Sequence, residues 1–454
     1  MKKKGRKMRE KNAIRLSDHF NFGRMLRFVA PSVMMMIFTS IYSIVDGFFV
    51  SNFVNKTAFA AVNLMMPLFM VLGAFGFMIG TGGTAIVAKT FGLGDSRKAN
   101  RYFSFLVYVT IVLGVILTVL GITLAEPIAM LFGAEGQMLS ESVTYARIVL
   151  LGLPFFMLQN VFQSFFITAE KPKLGLVVIV AAGVTNMVLD ALLVAIIPLG
   201  IAGAAIATAS SQLVGGAIPL FYFGFKNTST LRLGATSFYG RMLGAACING
   251  SSELMSNISA SLVTILYNYQ LMRFEGENGV AAYGAIMYVS FIFAAIFIGF
   301  SMGISPVISF HFGAGGKDEM KNVFVRSIVI ISVASVSMTV LSLILSTPLS
   351  QLFVGYDDAL CALTVRGFRI FSFAFLTMGF NIFGSALFTA LNNGTISAVI
   401  SFLRTLVFQC ISVILLPMVM GVDGIWFSII VGEILSFSVT VACVACFRKR
   451  YGYA

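Results

Sequence analysis

Long, nearly unbroken stretches of apolar residues dominate the hydropathy pattern of this 454-residue chain. Each stretch exceeds the roughly 18 apolar residues with which a helix can cross a hydrocarbon core about 30 Å thick. Strands of a membrane barrel would be shorter and would alternate apolar with polar positions, so the pattern predicts helices. Twelve spans are predicted: 26–53, 60–83, 103–125, 143–168, 174–197, 202–225, 245–272, 281–310, 324–346, 362–390, 396–418 and 422–447.

The second half of the chain repeats the pattern of the first half. An offset of 221 residues maps Phe91-Gly92 onto Phe312-Gly313 and Gly200 onto Gly421. Because each half holds six spans, both halves begin on the same side of the membrane, and the repeat is predicted to be parallel. We therefore expect an all-α integral membrane protein with twelve transmembrane helices in two six-helix lobes, related by a parallel internal repeat. Such paired halves indicate a transporter with its substrate site between the lobes.

Composition and charge agree with a lipid environment and predict the orientation. Hydrophobic residues make up 58% of the chain and charged residues 11%, and the mean hydropathy is +0.94. Most of the 31 Lys and Arg residues fall on the side of the two termini, and Arg404 is assigned to that side as well, near the end of its span. The positive-inside rule then places both termini in the cytoplasm. This asymmetry explains the net charge of +13 without a nucleic-acid partner, which we do not expect.

These features divide the chain into five predicted segments. They are a basic cytoplasmic tail (1–24), an N-lobe (25–225), a cytoplasmic linker (226–243), a C-lobe (244–447) and a cytoplasmic C-terminal tail (448–454). We expect a multi-pass protein of the cell (inner) membrane that contacts membrane lipids and is a monomer.

The sequence does not predict an enzyme. It contains neither the G-x-S-x-G nor the H-E-x-x-H pattern, and no G-x-x-x-x-G-K-[ST] loop that would bind ATP. We therefore expect no cofactor, and uphill transport would need an ion gradient. Carboxylates inside spans are then the candidates for coupling, because a charge at the membrane centre is costly and seldom kept without use. Four occur: Asp46, Asp190, Glu253 and Glu433.

Two of these carboxylates, Asp46 and Asp190, fall in the N-lobe near the middle of their spans. Asn186 precedes Asp190 by four residues, which puts both side chains on one helical face. Carboxylate, amide and hydroxyl oxygens together suit sodium, and a pair of buried carboxylates equally suits a proton. The alternative is that these acids only hydrogen-bond to neighbouring helices. Glu433 matches Gln212 at the repeat offset, which suggests a shared polar packing position.

The order of several short motifs resembles the multidrug and toxic compound extrusion (MATE) family, most closely its bacterial branch. These motifs are Val45-Asp46-Gly47 in the run from Pro31, Gly80-Thr81-Gly82-Gly83, Phe91-Gly92-Leu93-Gly94-Asp95 and Gly200-Ile201-Ala202-Gly203-Ala204-Ala205. The resemblance covers almost the entire chain. It implies an antiporter that exports organic cations and other drugs in exchange for sodium or protons, by alternating access between the lobes.

The resemblance also assigns residues to the N-lobe. It implies a cation site, with sodium as a possible ion, at Asp46, Asn186, Asp190 and Thr208, which Asn160 joins. Pro31 matches a family proline at which the first helix bends, although a proline at the start of a helix is the alternative.

The C-lobe departs from the pattern of another branch, which places a cation site there with a Glu in the seventh span and an Asp in the tenth. Glu253 supplies the first of these acids, but the tenth span contains no acid. We therefore expect Glu253 to meet a cationic substrate instead. Other polar residues within spans are predicted to line the substrate cavity, since such groups avoid lipid: Tyr42, Asn63, Gln159, Gln163, Tyr267, Asn268 and Asn381.

A lipid-linked oligosaccharide flippase of the same broader superfamily is the alternative function. Such a protein is expected to carry several basic residues in its cavity for the lipid phosphate, and the predicted spans contain few.

Overall fold

The computed structural model describes residues 14–355 and 357–453, without the side chains at 43, 44, 46–48, 51, 52 and 56. In these residues the chain forms fourteen α-helices: α1 (Phe22–Phe53), α2 (Lys56–Gly92), α3 (Ser96–Leu131), α4 (Gly136–Leu151), α5 (Leu153–Thr168), α6 (Pro172–Asp190), α7 (Gly200–Gly224), α8 (Gly240–Ala314), α9 (Lys317–Val354), α10 (Asp358–Ser372), α11 (Phe375–Ala390), α12 (Gly394–Phe402), α13 (Phe408–Met420) and α14 (Val422–Tyr451). A π-helical segment, Ala191–Ile196, continues α6, and a second, Leu403–Val407, joins α12 to α13.

These helices make twelve membrane spans. Over the described residues, nine stretches are long and apolar enough to cross a membrane, and counting the bent pairs α4/α5 and α10/α11 as one span each gives eleven. Helix α8 has 75 residues, which as one straight helix would be about 112 Å long. Its backbone leaves the helical conformation at Gly276 (φ 61°, ψ −144°), so α8 consists of two spans, α8a (240–275) and α8b (277–314). The prediction of twelve helical spans is confirmed.

The fourth and tenth spans differ from the unbroken helices that the sequence predicts. The fourth begins at Gly136 and turns by 53° between α4 and α5. Pro154 is in the first turn of α5, where a proline is tolerated but prevents the helix before it from continuing straight. The tenth span turns by 51° between α10 and α11.

The two halves share the same irregularities, which confirms the internal repeat. Bends of nearly equal size occur in the fourth span of each half. The residues Glu170 and Asn392, each following that bent span, both take the left-handed conformation (φ 59° and 57°). Gly200 and Gly421 both have φ 61° at the turn that precedes the last span of their half. Helices α1–α7 form the N-lobe and α8–α14 the C-lobe.

The lobes meet where glycines bring helix backbones together. A Cβ atom added to Gly92 on α2 would lie 2.8 Å from the backbone nitrogen of Ala314 and closer still to the Phe310 carbonyl oxygen. A Cβ atom on Gly313 would lie 2.9 Å from the carbonyl carbon of Lys89 and closer to its oxygen. The repeat offset maps 92 onto 313 and 89 onto 310, so this contact is symmetric about the repeat axis. That symmetry is the one expected of parallel halves.

All of these lobe contacts lie at the end of the bundle that holds both described chain ends, which we call the terminal side. Leu16 and Phe20, which precede α1, pack in one buried cluster with Ile308 of α8b and with Tyr453, which follows α14. A second pair of close approaches, Gly82 on Ala246 and Gly250 on Met78, lies at the start of α8a on the same side.

A short segment, 14–21, crosses the terminal side and is called the terminal strap. The Leu16 amide donates to Glu170 Oε1 of the N-lobe (2.9 Å). The Phe20 amide donates to Glu319 Oε1 of the C-lobe (2.8 Å), and His19 Nδ1 lies 2.6 Å from Glu319 Oε2. Burial raises the pKa of the Glu170 carboxyl. The strap therefore holds both lobes on the side where they touch.

Candidate cation site

Helix α6 presents an amide and a carboxylate one turn apart in the interior of the N-lobe. Asn186 is 2% exposed and Asp190 is fully buried. Spacing by four residues puts both on one helical face, as predicted. Asp190 is the last α-helical residue before the π-helical segment Ala191–Ile196, and such π turns are frequent at functional sites because they re-aim the side chains around them.

Helix α1 runs alongside this face of α6. A Cβ atom on Gly175 would lie 3.0 Å from Met35 Sδ, and one on Gly183 would lie 3.1 Å from the Tyr42 ring. The two helices therefore advance in the same direction, and the backbone one turn beyond Tyr42 is level with Asn186 and Asp190. Position 46 falls in that turn of α1, but the Asp46 side chain is outside the described part of the structure.

Helix α7 packs on α6 from another side, in the opposite direction. A Cβ atom on Gly203 would lie 2.6 Å from the Leu193 carbonyl oxygen, directly after Asp190. Counting back along α6 and forward along α7 from this contact puts Thr208 level with the Asn186–Asp190 turn. The structure thus brings the predicted positions of three helices to one depth of the N-lobe.

Two oxygens at this level are buried without a hydrogen-bond partner among the described residues, Asn186 Oδ1 and Thr208 Oγ1. A buried polar atom left without a partner costs about 1–3 kcal/mol. Amide, hydroxyl and carboxylate oxygens are the ligands that a desolvated alkali cation takes in transporters. These oxygen ligands therefore fit sodium, and the buried carboxylate fits a proton.

The predicted polar residues of α5 join helices within the N-lobe. Asn160 Nδ2 lies 3.4 Å from the Gly73 carbonyl oxygen of α2, and Gln163 Nε2 lies 3.4 Å from Met36 Sδ of α1. Gln159, which is 6% exposed, packs its side chain against Gly215 of α7. Through these contacts α5 supports α1, α2 and α7, the helices around the candidate site.

The remaining cavity candidates are dispersed. Asn63 is exposed and donates to the Phe59 carbonyl oxygen of its own helix. Glu253 and Asn268 are half-buried on α8a. Tyr267 is 1% exposed, and its hydroxyl donates to Gln409 Oε1 over 2.8 Å. The structure places Tyr267 in the C-lobe interior and does not bring these residues together with Asn186 and Asp190.

The C-lobe contains an internal ion pair that sequence reasoning missed. Arg404 lies in the π-helical segment Leu403–Val407, between α12 and α13, and its Nη2 is 2.9 Å from Glu433 Oε1 of α14. Asn381 donates to Glu433 Oε2 over 2.7 Å and accepts from Thr440. Assigning Arg404 to the terminal side near a span end was wrong, since a partner inside the next span neutralises it. The sequence signal that could have indicated this ion pair is Glu433, an acid in the middle of that span.

Pro31 lies inside α1, nine residues after the helix begins at Phe22, so the helix-start alternative is wrong. The following turn packs closely on α8b, where a Cβ atom on Gly299 would lie 2.9 Å from the Ser32 carbonyl oxygen. A proline at this position removes one helical hydrogen bond and weakens α1 locally.

Comparison with known proteins agrees with this architecture. The MatE family model matches residues 31–192 and 254–415, one block in each half. "Multidrug export protein MepA" of Staphylococcus haemolyticus (strain JCSC1435) is 25% identical over 448 residues, which cover 98% of this chain and 97% of that protein. The protein of the same name from Staphylococcus aureus (strain MRSA252) is 22% identical over 431 residues, 94% of each chain.

Solved structures match over nearly the whole chain. "Crystal structure of MATE in the straight conformation" superposes with a TM-score of 0.90 at 20% identity, covering 96% of this chain and 98% of that one. "Outward-facing conformation of a multidrug resistance MATE family transporter of the MOP superfamily" gives 0.88 at 20% identity, covering 95% and 98%. At this identity the likeness concerns the fold. Since the family model matches most of the chain, the protein belongs to the MatE family, whose members are transporters and not enzymes.

Proposed function

We propose that this protein is a secondary active multidrug antiporter, which exports organic cations and other drugs in exchange for sodium or protons. The observation that carries the proposal is that Asn186, Asp190 and Thr208 place buried oxygens at one depth of the N-lobe, level with the turn of α1 that contains Asp46. The relatives named multidrug export proteins support the substrate class.

The proposed mechanism is alternating access with ion binding in the N-lobe. Binding of sodium or a proton at Asp46 and Asp190 neutralises the pocket, and α1 repacks around Pro31. Because the ion and the drug prefer different arrangements of α1, ion binding from outside favours release of the drug outside. Drug binding from inside then favours release of the ion inside. The lobes touch on the terminal side, so with both termini in the cytoplasm this conformation opens outward.

Substrate is proposed to bind between the lobes, with the half-buried Glu253 as a carboxylate for cationic drugs. Tyr42 on α1 supplies an aromatic ring close to the ion site. This arrangement couples the two ligands through α1 and does not require direct contact between them. The protein is proposed to act as a monomer in the inner membrane.

The flippase alternative gains no support from Arg404. Its guanidinium binds the Glu433 carboxylate through three contacts of 2.9–3.1 Å, so it offers no free positive charge to a lipid phosphate. A flippase would need free cations within its cavity.

Drug efflux in energised cells tests the proposal. Ethidium export is measured for wild type, Asp46→Asn, Asp190→Asn and Glu277→Gln, with the sodium gradient and the proton gradient varied separately. Glu277 is exposed beside the α8 break, so its variant is the matched control for removing one carboxylate. We expect export by the two aspartate variants to fall by about tenfold or more, while the control exports like wild type.

The ion is identified by the gradient whose collapse stops wild-type export. Undiminished export by Asp190→Asn at normal membrane expression would overturn the N-lobe site. Absence of wild-type export with ethidium and a panel of other cationic drugs would instead overturn the substrate class and direct attention to lipid-linked substrates.

A further inference from the structure

A cleft of about 820 Å³ opens on the terminal side of the molecule, outside the candidate cation site. One wall belongs to the N-lobe and carries Lys89 of α2 and Lys98 of α3. The other wall belongs to the C-lobe and carries Arg241 and Asn249 of α8a. Any ligand that fills the cleft therefore touches both lobes.

The charges in the cleft favour an anion. Three cations, Lys89, Lys98 and Arg241, line it together with one carboxylate, Asp95. That carboxylate caps α3 by accepting the Lys98 amide over 2.9 Å. Within the described residues none of the three cations forms an ion pair. The Lys89 ammonium lies over the Phe312 ring at 4.8 Å, whereas Lys98 and Arg241 are exposed and so accessible to a ligand.

The start of α8 adds backbone donors to the same cleft. Helix α8 begins at Gly240, its N-cap residue Tyr239 makes no side-chain hydrogen bond, and its first turn contains no acid. The residues Tyr239 to Met242 line the cleft. The first amides of a helix have no partner within the helix and carry partial positive charge, which makes such a start a site for phosphate.

The side chain of Asn249, which lines the cleft, offers a hydrogen-bond acceptor there. Asn249 is 3% exposed, and its Nδ2 donates to the Thr389 carbonyl oxygen over 2.9 Å. Its Oδ1 has no donor among the described residues. A ligand that satisfies this oxygen carries a hydrogen-bond donor, and a hydroxyl group supplies one without cancelling the negative charge.

We propose that this cleft binds a phosphate esterified to a small polyol, the chemistry shared by the phosphatidylglycerol head group and soluble glycerol phosphate. The phosphate contacts Lys98, Arg241 and the first amides of α8, and a hydroxyl group donates to Asn249 Oδ1. Phe238 lines the cleft and is 83% exposed, as aromatic residues at a bilayer interface are. The lipid form fits this position.

Occupancy has a conformational consequence because the two walls belong to different lobes. A bound phosphate holds Lys98 of the N-lobe and Arg241 of the C-lobe together and so favours the conformation in which the lobes touch on the terminal side. This consequence rests on the proposed alternating access, whereas the binding itself does not.

Native mass spectrometry and titration of the purified full-length protein test the site. The probes are short-chain phosphatidylglycerol, short-chain phosphatidylcholine and glycerol 3-phosphate. The variants are Lys98→Gln/Arg241→Gln and Arg241→Lys, with Lys173→Gln as control. Lys173 is an exposed cation at the start of α6 that is not among the residues lining the cleft.

We expect wild type to bind one phosphatidylglycerol in preference to phosphatidylcholine. Removing a cation weakens binding by about fivefold, so the double variant loses about 25-fold, while Arg241→Lys and Lys173→Gln bind within about twofold of wild type. Tight binding of glycerol 3-phosphate with the same pattern across the variants supports the site with a soluble ligand. Equal loss in Lys173→Gln, or no preference over phosphatidylcholine together with no glycerol phosphate binding, overturns the proposal.

A failure of drug efflux would not affect this result, because binding is measured without transport. Conversely, if the double variant loses phosphatidylglycerol but efflux stays intact, the site exists and its conformational role is refuted.

Discussion

Replacing Gly313 by alanine tests whether the glycine contact on the repeat axis sets the balance between conformations. The added Cβ atom would lie 2.9 Å from the carbonyl carbon of Lys89 and nearer to its oxygen, whereas ordinary contacts begin at 3.4 Å. The obstacle is helix backbone and cannot rotate away. Helices α2 and α8b must therefore separate, and the symmetric contact at Gly92 opens with them.

Overpacking of this kind costs about 1–3 kcal/mol. The cost applies to the conformation in which the lobes touch on the terminal side and is absent where they part there. On a two-state equilibrium it shifts the population ratio by a factor of about 5–150. The variant is expected to stay folded, because each lobe keeps its own core.

The assay is the distribution of distances between spin labels at Lys173 and Lys317, one on each lobe at the terminal side. Labels attached to unnatural amino acids leave the five native cysteines in place. We expect a longer distance to gain population in Gly313→Ala. Gly284→Ala is the matched control, since Gly284 lies on the same helix as Gly313 and a Cβ atom there meets nothing within 4 Å. An unchanged distribution in Gly313→Ala would refute the reasoning.

Three further predictions concern the buried polar network and the strap. Arg404→Met leaves the Glu433 carboxylate buried without its partner and should lower the free energy of unfolding by about 3–5 kcal/mol; thermal unfolding should show most of this loss recovered when Glu433→Gln is added. Tyr267→Phe removes the donor to Gln409 Oε1 and should cost about 1–3 kcal/mol, measured in the same way; an unchanged melting temperature would contradict the assigned bond. Glu319→Ala removes the acceptor for His19 and Phe20, so amide hydrogen exchange should accelerate in the strap, whereas Glu277→Ala should leave it unchanged.

The spans and their repeat could be predicted because both follow from local patterns. Apolar runs of membrane length leave the backbone no alternative to helices. The break at Gly276 falls in the polar gap between two predicted spans, and the chain is helical on both sides of it. The bend at Pro154 lies inside an apolar run, and hydropathy does not register such a change of direction.

The candidate site was predictable only in part. The four-residue spacing of Asn186 and Asp190 predicted a shared face, and the structure buries both. Polar residues such as Tyr267 and Asn381 could not be placed, because a polar group in a span avoids lipid equally well by facing a cavity or by bonding to another helix. Arg404 was misassigned for the same reason, since its partner is 29 residues away in the next span.

The difference between the lobes supports the proposal that ion coupling arises in the N-lobe. In the C-lobe the Glu433 carboxylate is already matched by the Arg404 guanidinium, so a sodium ion or proton arriving there would have to displace a tethered cation that cannot leave. In the N-lobe the repeat offset puts Gly183 at the position of Arg404, and Asn186 and Thr208 keep buried oxygens without partners among the described residues. An ion that reached Glu433 would therefore meet a carboxylate that already has its counter-ion, whereas the N-lobe offers oxygens without partners among the described residues. If transport is coupled to an ion in the N-lobe, as proposed, the asymmetry between two halves of one fold follows from which of them lacks the arginine.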